Sequence, residues 1–206
     1  MEIIEKYFPG LSHEKIGRFV QLQAFYENWN QKINLISRND IVHLYEHHVL
    51  HSLSIAKVID FKDRTSIMDV GTGGGFPGIP LAILFSGCNF YLVDSIGKKI
   101  QVVNAVIKDL GLTNVKAEQK RVEQVQEKFD FVISRAVTQL PIFFQWVQGK
   151  IISGGFNNLP NGILYLKGGD LEDELCSIKK KYKVFNLSDF FTEEYFITKK
   201  IVYIKR

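Results

Sequence analysis

Cysteine is scarce in this chain: there are two among 206 residues, Cys88 and Cys176. Without a CxxC spacing they form neither a zinc ribbon nor a disulfide framework, and buried, reduced thiols of a cytoplasmic protein are the expectation. Long apolar runs are missing as well, since none approaches the ~20 residues that a membrane helix needs. The start, "MEIIEKYF", lacks the basic segment and apolar stretch of an export signal, so the chain reads as soluble and unexported. No repeat, low-complexity stretch or Pro/Gly/Ser linker divides it. A GxSxG elbow and an HExxH zinc set are also absent, which removes two common hydrolytic chemistries. The formal charge of +4 is mild and does not separate an enzyme of small acids from one acting on a polyanion.

What the chain does have is 46% apolar and 13% aromatic residues, enough for one substantial core with an appended subdomain. From residue 66 onward, short β-branched or aromatic runs alternate with segments of helical period, the pattern of an α/β sheet with crossover helices. Seven strands are expected: 66–71, 88–95, 114–122, 129–136, 161–169, 182–190 and 199–206. Ile96, Ile100, Val103, Ile107 and Leu110 recur at helical spacing between the second and third, and Gly111 closes that segment. Only "FTEEYFIT" separates the last two strands, room for a hairpin but not for a crossover helix, so the last strand should run antiparallel. The basic residues gather at Lys98 and Lys99, at Lys116, Lys120 and Arg121, and in "KKKYK" (Lys179 to Lys183). Runs such as the last are usually solvated faces.

Residues 1–60 read as a helical extension packed on a domain spanning 61–206. Ser12 is placed to cap a helix carrying Phe19, Leu22, Phe25 and Trp29. Asp40 is placed to cap a second, with Val42, Tyr45, Val49, Leu53 and Ala56 on one stripe. His43, His47 and His51 are spaced by four with His48 beside them, and on a regular helix they lie opposite that stripe, facing outward. No carboxylate or cysteine completes a zinc set around them, so no metal is expected.

The stretch "IMDVGTGGGFPGIP" (67–80) is the strongest motif. Glycines after a buried strand let the backbone approach a ligand and aim amide groups at it. From Asp69 the letters read DxGxGxG (Asp69, Gly71, Gly73, Gly75), a methyl-donor loop; from Gly73 they read GxGxxG, a dinucleotide loop. Asp94 stands where either needs an acid for a ribose. An acid at Asp69 opposes a pyrophosphate but suits the amino group of S-adenosylmethionine. Pro77 and Pro80 remove amide donors that a pyrophosphate would want. If the donor is S-adenosylmethionine, the fourth strand's end tells the acceptor: "ISRAVTQLP" has neither an (Asn/Asp)-Pro-Pro-aromatic set for exocyclic amines nor a Pro-Cys nucleophile for ring carbons. It has Arg135, a fork of fixed charge that positions without moving protons, as an acceptor with a free lone pair requires.

The stretches "NLISRND", "HHVLHSL", "MDVGTGGGFPGIPLAI", "LVDSIGKKIQVV", "RVEQ", "FDFVISRAV", "YLKGG" and "KKIVYIKR" resemble, in order and spacing over residues 30–206, the glucose-inhibited division protein B family, the 16S ribosomal RNA guanine-N7 methyltransferases. The resemblance implies a class I, Rossmann-like methyltransferase fold with a mostly parallel seven-stranded sheet. It implies S-adenosylmethionine as donor and 16S ribosomal RNA or the small subunit as partner, with no membrane and no obligate protein partner, the chain acting as a monomer. It places Gly71 and Phe76 in the donor loop, Val122 and Glu123 beside the adenine, Arg135 near the methionine end and Asp94 on the ribose. Asn34, His48, Arg121 and Lys167 would face the RNA, joined by the loop-proximal Lys98 and Lys99, and Arg121 and Arg135 would position donor and base. One departure is visible: the family's "RH-x-x-DS" reads "HHVLHS" here, with His47 and His51 replacing an arginine and an aspartate. A nicotinamide-dependent oxidoreductase and a non-catalytic RNA-binding factor are the alternatives.

Overall fold

A computed structural model describes residues 1–33, 35–37 and 39–206. All seven strands form one sheet: β1 (Ser66–Val70), β2 (Asn89–Asp94), β3 (Val115–Gln119), β4 (Phe131–Arg135), β5 (Gly162–Gly168), β6 (Tyr182–Asn186) and β7 (Lys199–Lys205). Their order is β3-β2-β1-β4-β5-β7-β6. The first five run parallel, and β7 lies antiparallel between β5 and β6. The strand order reverses between β1 and β4, and such a switch point opens a crevice at the carboxyl ends of the strands. Two expected strands end early. After β3 the chain turns at Val122–Gln124, and after β6 at Leu187–Asp189.

Successive strand residues feed opposite layers, as the pleat demands. Ile67, Leu92, Phe131, Ile133 and Leu166 face a layer built from the N-terminal helices together with α4 (Gly78–Leu84) and α5 (Gly97–Asp109). Met68, Val93, Val132 and Tyr165 face the other, closed by α6 (Leu140–Val147); α7 (Glu172–Cys176) follows β5.

At the N-terminus, α1 (Glu2–Tyr7) precedes α2 (His13–Asn30), whose first turn is capped where Ser12 Oγ accepts from the Lys15 amide at 3.3 Å. The buried row of α2 is Phe19, Leu22 and Tyr26. The expected Phe25 and Trp29 flank it, partly buried.

The second expected helix is irregular. Ile41–His43 is a tight 3₁₀ turn, Leu44–Leu50 winds as a π-helix, α3 (His51–Leu53) is one α-turn, and Ser54–Lys57 is 3₁₀ again. Asp40 does not cap it, because its carboxylate is drawn to the imidazoles of His47 and His48. Bonding from i to i+5 shifts the phase of the following side chains. His51, expected outside, follows these turns and is therefore buried, while Val42, on the preceding 3₁₀ turn, is off the apolar stripe and 71% exposed. The cysteines separate too: Cys88 is buried, its thiol pushed up to about 11 by burial, but Cys176 is exposed.

Candidate active site

The crevice at the switch point is a cavity of about 500 Å³ at the ends of β1, β2, β3 and β4. The glycine-rich loop forms one wall, and its shape follows from backbone bonds. The Gly71 and Thr72 amides donate to the Val93 carbonyl (2.8 and 3.1 Å), tying the loop to β2. Asp94, at the end of β2, accepts from the Gly73 and Ile96 amides at 2.9 Å each. Gly71 and Gly73 both have positive φ, 69° and 59°. A Cβ on Gly71 would lie 2.5 Å from Val137, whereas one on Gly73 would meet open space, with nothing nearer than 4.0 Å. That open approach is what a ligand uses.

Asp69 and Gly75 do not line the cavity. Asp69 is wholly buried, and its Oδ2 accepts from Thr72 Oγ1 (2.6 Å) and from the Gly78 amide (2.9 Å). Burial pushes its pKa up to about 7. The amide that opens α4 is thus committed to a carboxylate, so this helix end does not present it to a pyrophosphate. Gly75 packs inward, where a Cβ would meet Ile79 at 2.7 Å.

The opposite wall is Arg135, the last residue of β4. Its guanidinium donates to the His47 carbonyl (3.1 Å) and to His48 Nδ1 (3.0 Å), and stands 5.2 Å from the Phe76 ring centre. Arginine only donates, so His48 Nδ1 accepts, and its Nε2–H donates to Asp40. Burial first, and the charge of Arg135 second, push His48 down to about 4, leaving it neutral. The other oxygen of Asp40 pairs with His47 Nδ1. Ala136, next after Arg135, has φ of 49°, a left-handed conformation in a non-glycine residue lining the cavity.

The structure brings Gly71, Gly73, Phe76, Asp94, Val122, Glu123, Arg121, Arg135, His48 and Lys99 into one lining. Arg121 forms no ion pair among the described residues, and Glu123 is exposed beside it. Lys98 is exposed on the first turn of α5 outside the lining. Lys167 is turned away from the cavity, paired with Glu174 (2.9 Å) and donating to the Thr138 carbonyl (3.2 Å). Asn34 lies outside the described residues. Of the four clustered histidines, His43 is exposed as expected, but His47 and His48 are mostly covered, and His51 is buried against Tyr195 and Phe196. Among the described residues no group of three His, Cys, Asp or Glu side chains is placed to hold a metal ion.

Sequence reasoning missed Tyr26, Trp146, Tyr195 and the pairing role of Asp40. Tyr26 sits four residues after Leu22, so the helical period contained it, but its hydroxyl, donating 2.6 Å to the Gly74 carbonyl, gives no local signal. Trp146 reaches the cavity from α6, and Leu35 and Ile36 reach it from the stretch held by Asn30.

Comparison with known proteins decides the family. A family model described as rRNA small subunit methyltransferase G matches residues 14–201. The chain belongs to this family. A ribosomal RNA small subunit methyltransferase G of Flavobacterium psychrophilum is 55% identical over 204 residues, covering 99% of this chain and 97% of that one. Its counterpart in Christiangramia forsetii is 52% identical, with 99% and 96% covered. Among solved structures, a SAM-dependent methyltransferase from Aquifex aeolicus superposes with a TM-score of 0.57 at 15% identity, over 82% of this chain and 98% of that chain. At such identity the likeness speaks for the fold alone: a class I methyltransferase sheet with its antiparallel last strand. Among the described residues, no helix is long and apolar enough to cross a membrane.

Proposed function

We propose that this chain transfers a methyl group from S-adenosylmethionine to N7 of a guanine in the 16S RNA of the small ribosomal subunit. Family membership supports the RNA substrate, and the wall around Arg135 supports the acceptor atom. Both imidazole nitrogens of His48 are committed, one to Asp40 and one to Arg135, so this side chain offers no base. Guanine N7 needs none: it carries a free lone pair on the Hoogsteen edge at neutral pH. Alignment is then the main task of the site.

The cavity fits the donor. Its volume lies in the range of small-molecule sites. Open space above Gly73 lets a ligand lie close against the loop backbone, the Asp94 carboxylate keeps lone pairs for ribose hydroxyls, and Val122 gives an apolar side for a base. When bound, S-adenosylmethionine supplies an electrophilic methyl group. Gly71, Gly73, Phe76, Asp94, Val122 and Glu123 would hold it, with Gly75 and Asp69 keeping the loop in shape. Arg135 would orient the methionine end, and Arg121 would hold the RNA with Lys98, Lys99, His48, Asn34 and Lys167. Lys167 must leave Glu174 to do so. Residues 1–60 would serve acceptor recognition as an extension of the 61–206 domain, the whole acting as a cytoplasmic monomer without an obligate protein partner.

The test is transfer of labelled methyl to small subunits from cells lacking this protein, followed by mapping of the modified base. Label at a guanine N7 is the expected result. RNA binding without label would favour a non-catalytic factor, and tight nicotinamide binding without S-adenosylmethionine binding would favour an oxidoreductase.

A further inference from the structure

Beside the donor cavity stands a column of rings that transfer chemistry does not use. The imidazoles of His43 and His47 are stacked, with centroids 4.6 Å apart and planes 20° from parallel. His47 stacks in turn on Tyr195, at 3.9 Å and 13°. Lys199 closes the far end, its ammonium 4.6 Å from the Tyr195 ring centre. The near end is open: His43 is exposed, and no further ring or cation covers it among the described residues. Val42, next to it, is 71% exposed.

The middle ring is fixed from two directions. Asp40 holds His47 Nδ1, and the His47 carbonyl accepts from both Arg135 (3.1 Å) and Tyr195 Oη (3.2 Å). One residue therefore carries the centre of the column and anchors the guanidinium of the proposed active site. Among the described residues these imidazoles do not converge with other ligands as a metal site would; the column presents ring faces.

Resting on the proposed function, the geometry points to the open face of His43 as a stacking platform for an unpaired RNA base that flanks the methylated guanine. In an A-form duplex, N7 lies in a deep, narrow major groove that side chains do not enter. The target guanine must therefore come from an unpaired or opened region, and its neighbours lose their stacking partners. Aromatic side chains, histidine included, replace such partners. A column closed by Lys199 at one end and open at the other, joined to Arg135 through a single residue, supplies that replacement next to the reaction centre.

The experiment compares wild type with His43→Ala, His43→Trp and His43→Lys, measuring KM for small subunits, donor Kd by titration, and filter binding of a ribosomal RNA fragment at fixed salt. His43 is exposed, so the variants should fold. Base stacking of ordinary strength predicts that His43→Ala raises KM and weakens RNA binding on the order of tenfold, with donor Kd unchanged. His43→Trp should restore both values, and His43→Lys should not. Wild-type KM in His43→Ala, or rescue by lysine as good as by tryptophan, would overturn the platform while leaving the proposed function intact. A wild-type protein that neither methylates nor binds the RNA would overturn both.

Discussion

Arg135 owes its direction to a residue outside the cavity lining. Asp40 receives Nε2–H of His48, and that bond fixes the tautomer whose Nδ1 accepts from the guanidinium. An amide at position 40 presents a donor to one imidazole and loses the fixed tautomer. Asp40→Asn is therefore expected to lower kcat about tenfold, by misalignment, with donor Kd changed by less than about threefold. Steady-state kinetics with titration of the donor would check this, and unchanged kcat would free Arg135 from Asp40. Asp69 shows how sequence reasoning met its limit at this scale. The pattern places it beside the loop, but its Oδ2 is spent on Thr72 and on the first amide of α4, and its Oδ1 is buried without a partner among the described residues. A one-dimensional pattern does not say which way a buried acid turns.

At the scale of elements, α2 reaches the donor loop through Tyr26, whose ring lies 4.9 Å from that of Phe76 while its hydroxyl holds the Gly74 carbonyl. Tyr26→Phe keeps the ring and removes the bond. A buried hydrogen bond is worth on the order of 1 kcal/mol net, so a loosened loop should bind the donor about fivefold more weakly. Calorimetric titration would detect it, and an unchanged Kd would make Tyr26 mere packing. Most strands were legible as short apolar or aromatic runs bounded by turn residues, although β3 is mostly polar, and α5 because Ile100 and Val103 of its expected stripe are buried, while Ile96 stands exposed before its first turn. The Ile41–Lys57 segment was not, because its apolar spacing assumes regular winding. The pull of Asp40 on two imidazoles and the i to i+5 turns depend on long-range packing.

The whole molecule titrates in opposite senses around this site. His48, pushed down to about 4, and His51, also pushed well down, first by burial, are neutral in the fold. The unfolded chain alone binds those protons above pH 4, so their contribution makes stability rise with pH up to the ordinary histidine range. Asp69, raised to about 7, keeps a proton in the fold that the unfolded chain has lost, so its contribution falls with pH between the usual carboxylate range and about 7. Asp69→Asn removes the falling contribution. Its urea midpoint should climb more steeply than wild type between pH 4 and 7, and parallel curves would refute the assignment. At this scale the seven strands, the antiparallel last strand and the ligand loop after the first strand were readable from alternation and the glycine motif, whereas the strand order and the joining of residues 26, 40 and 195 to the crevice were not. Phe76 lies at that junction, against Tyr26 at 4.9 Å, His48 at 5.2 Å and the Arg135 guanidinium at 5.2 Å. Under the proposed function, one ring thus belongs to the loop that would receive the donor and to the clamp that would meet the RNA. Coupling of the two through this ring is the expected outcome, and thermodynamic linkage requires it to be reciprocal: RNA should tighten the donor by the same factor by which the donor tightens RNA, and Phe76→Leu should bring both factors toward one.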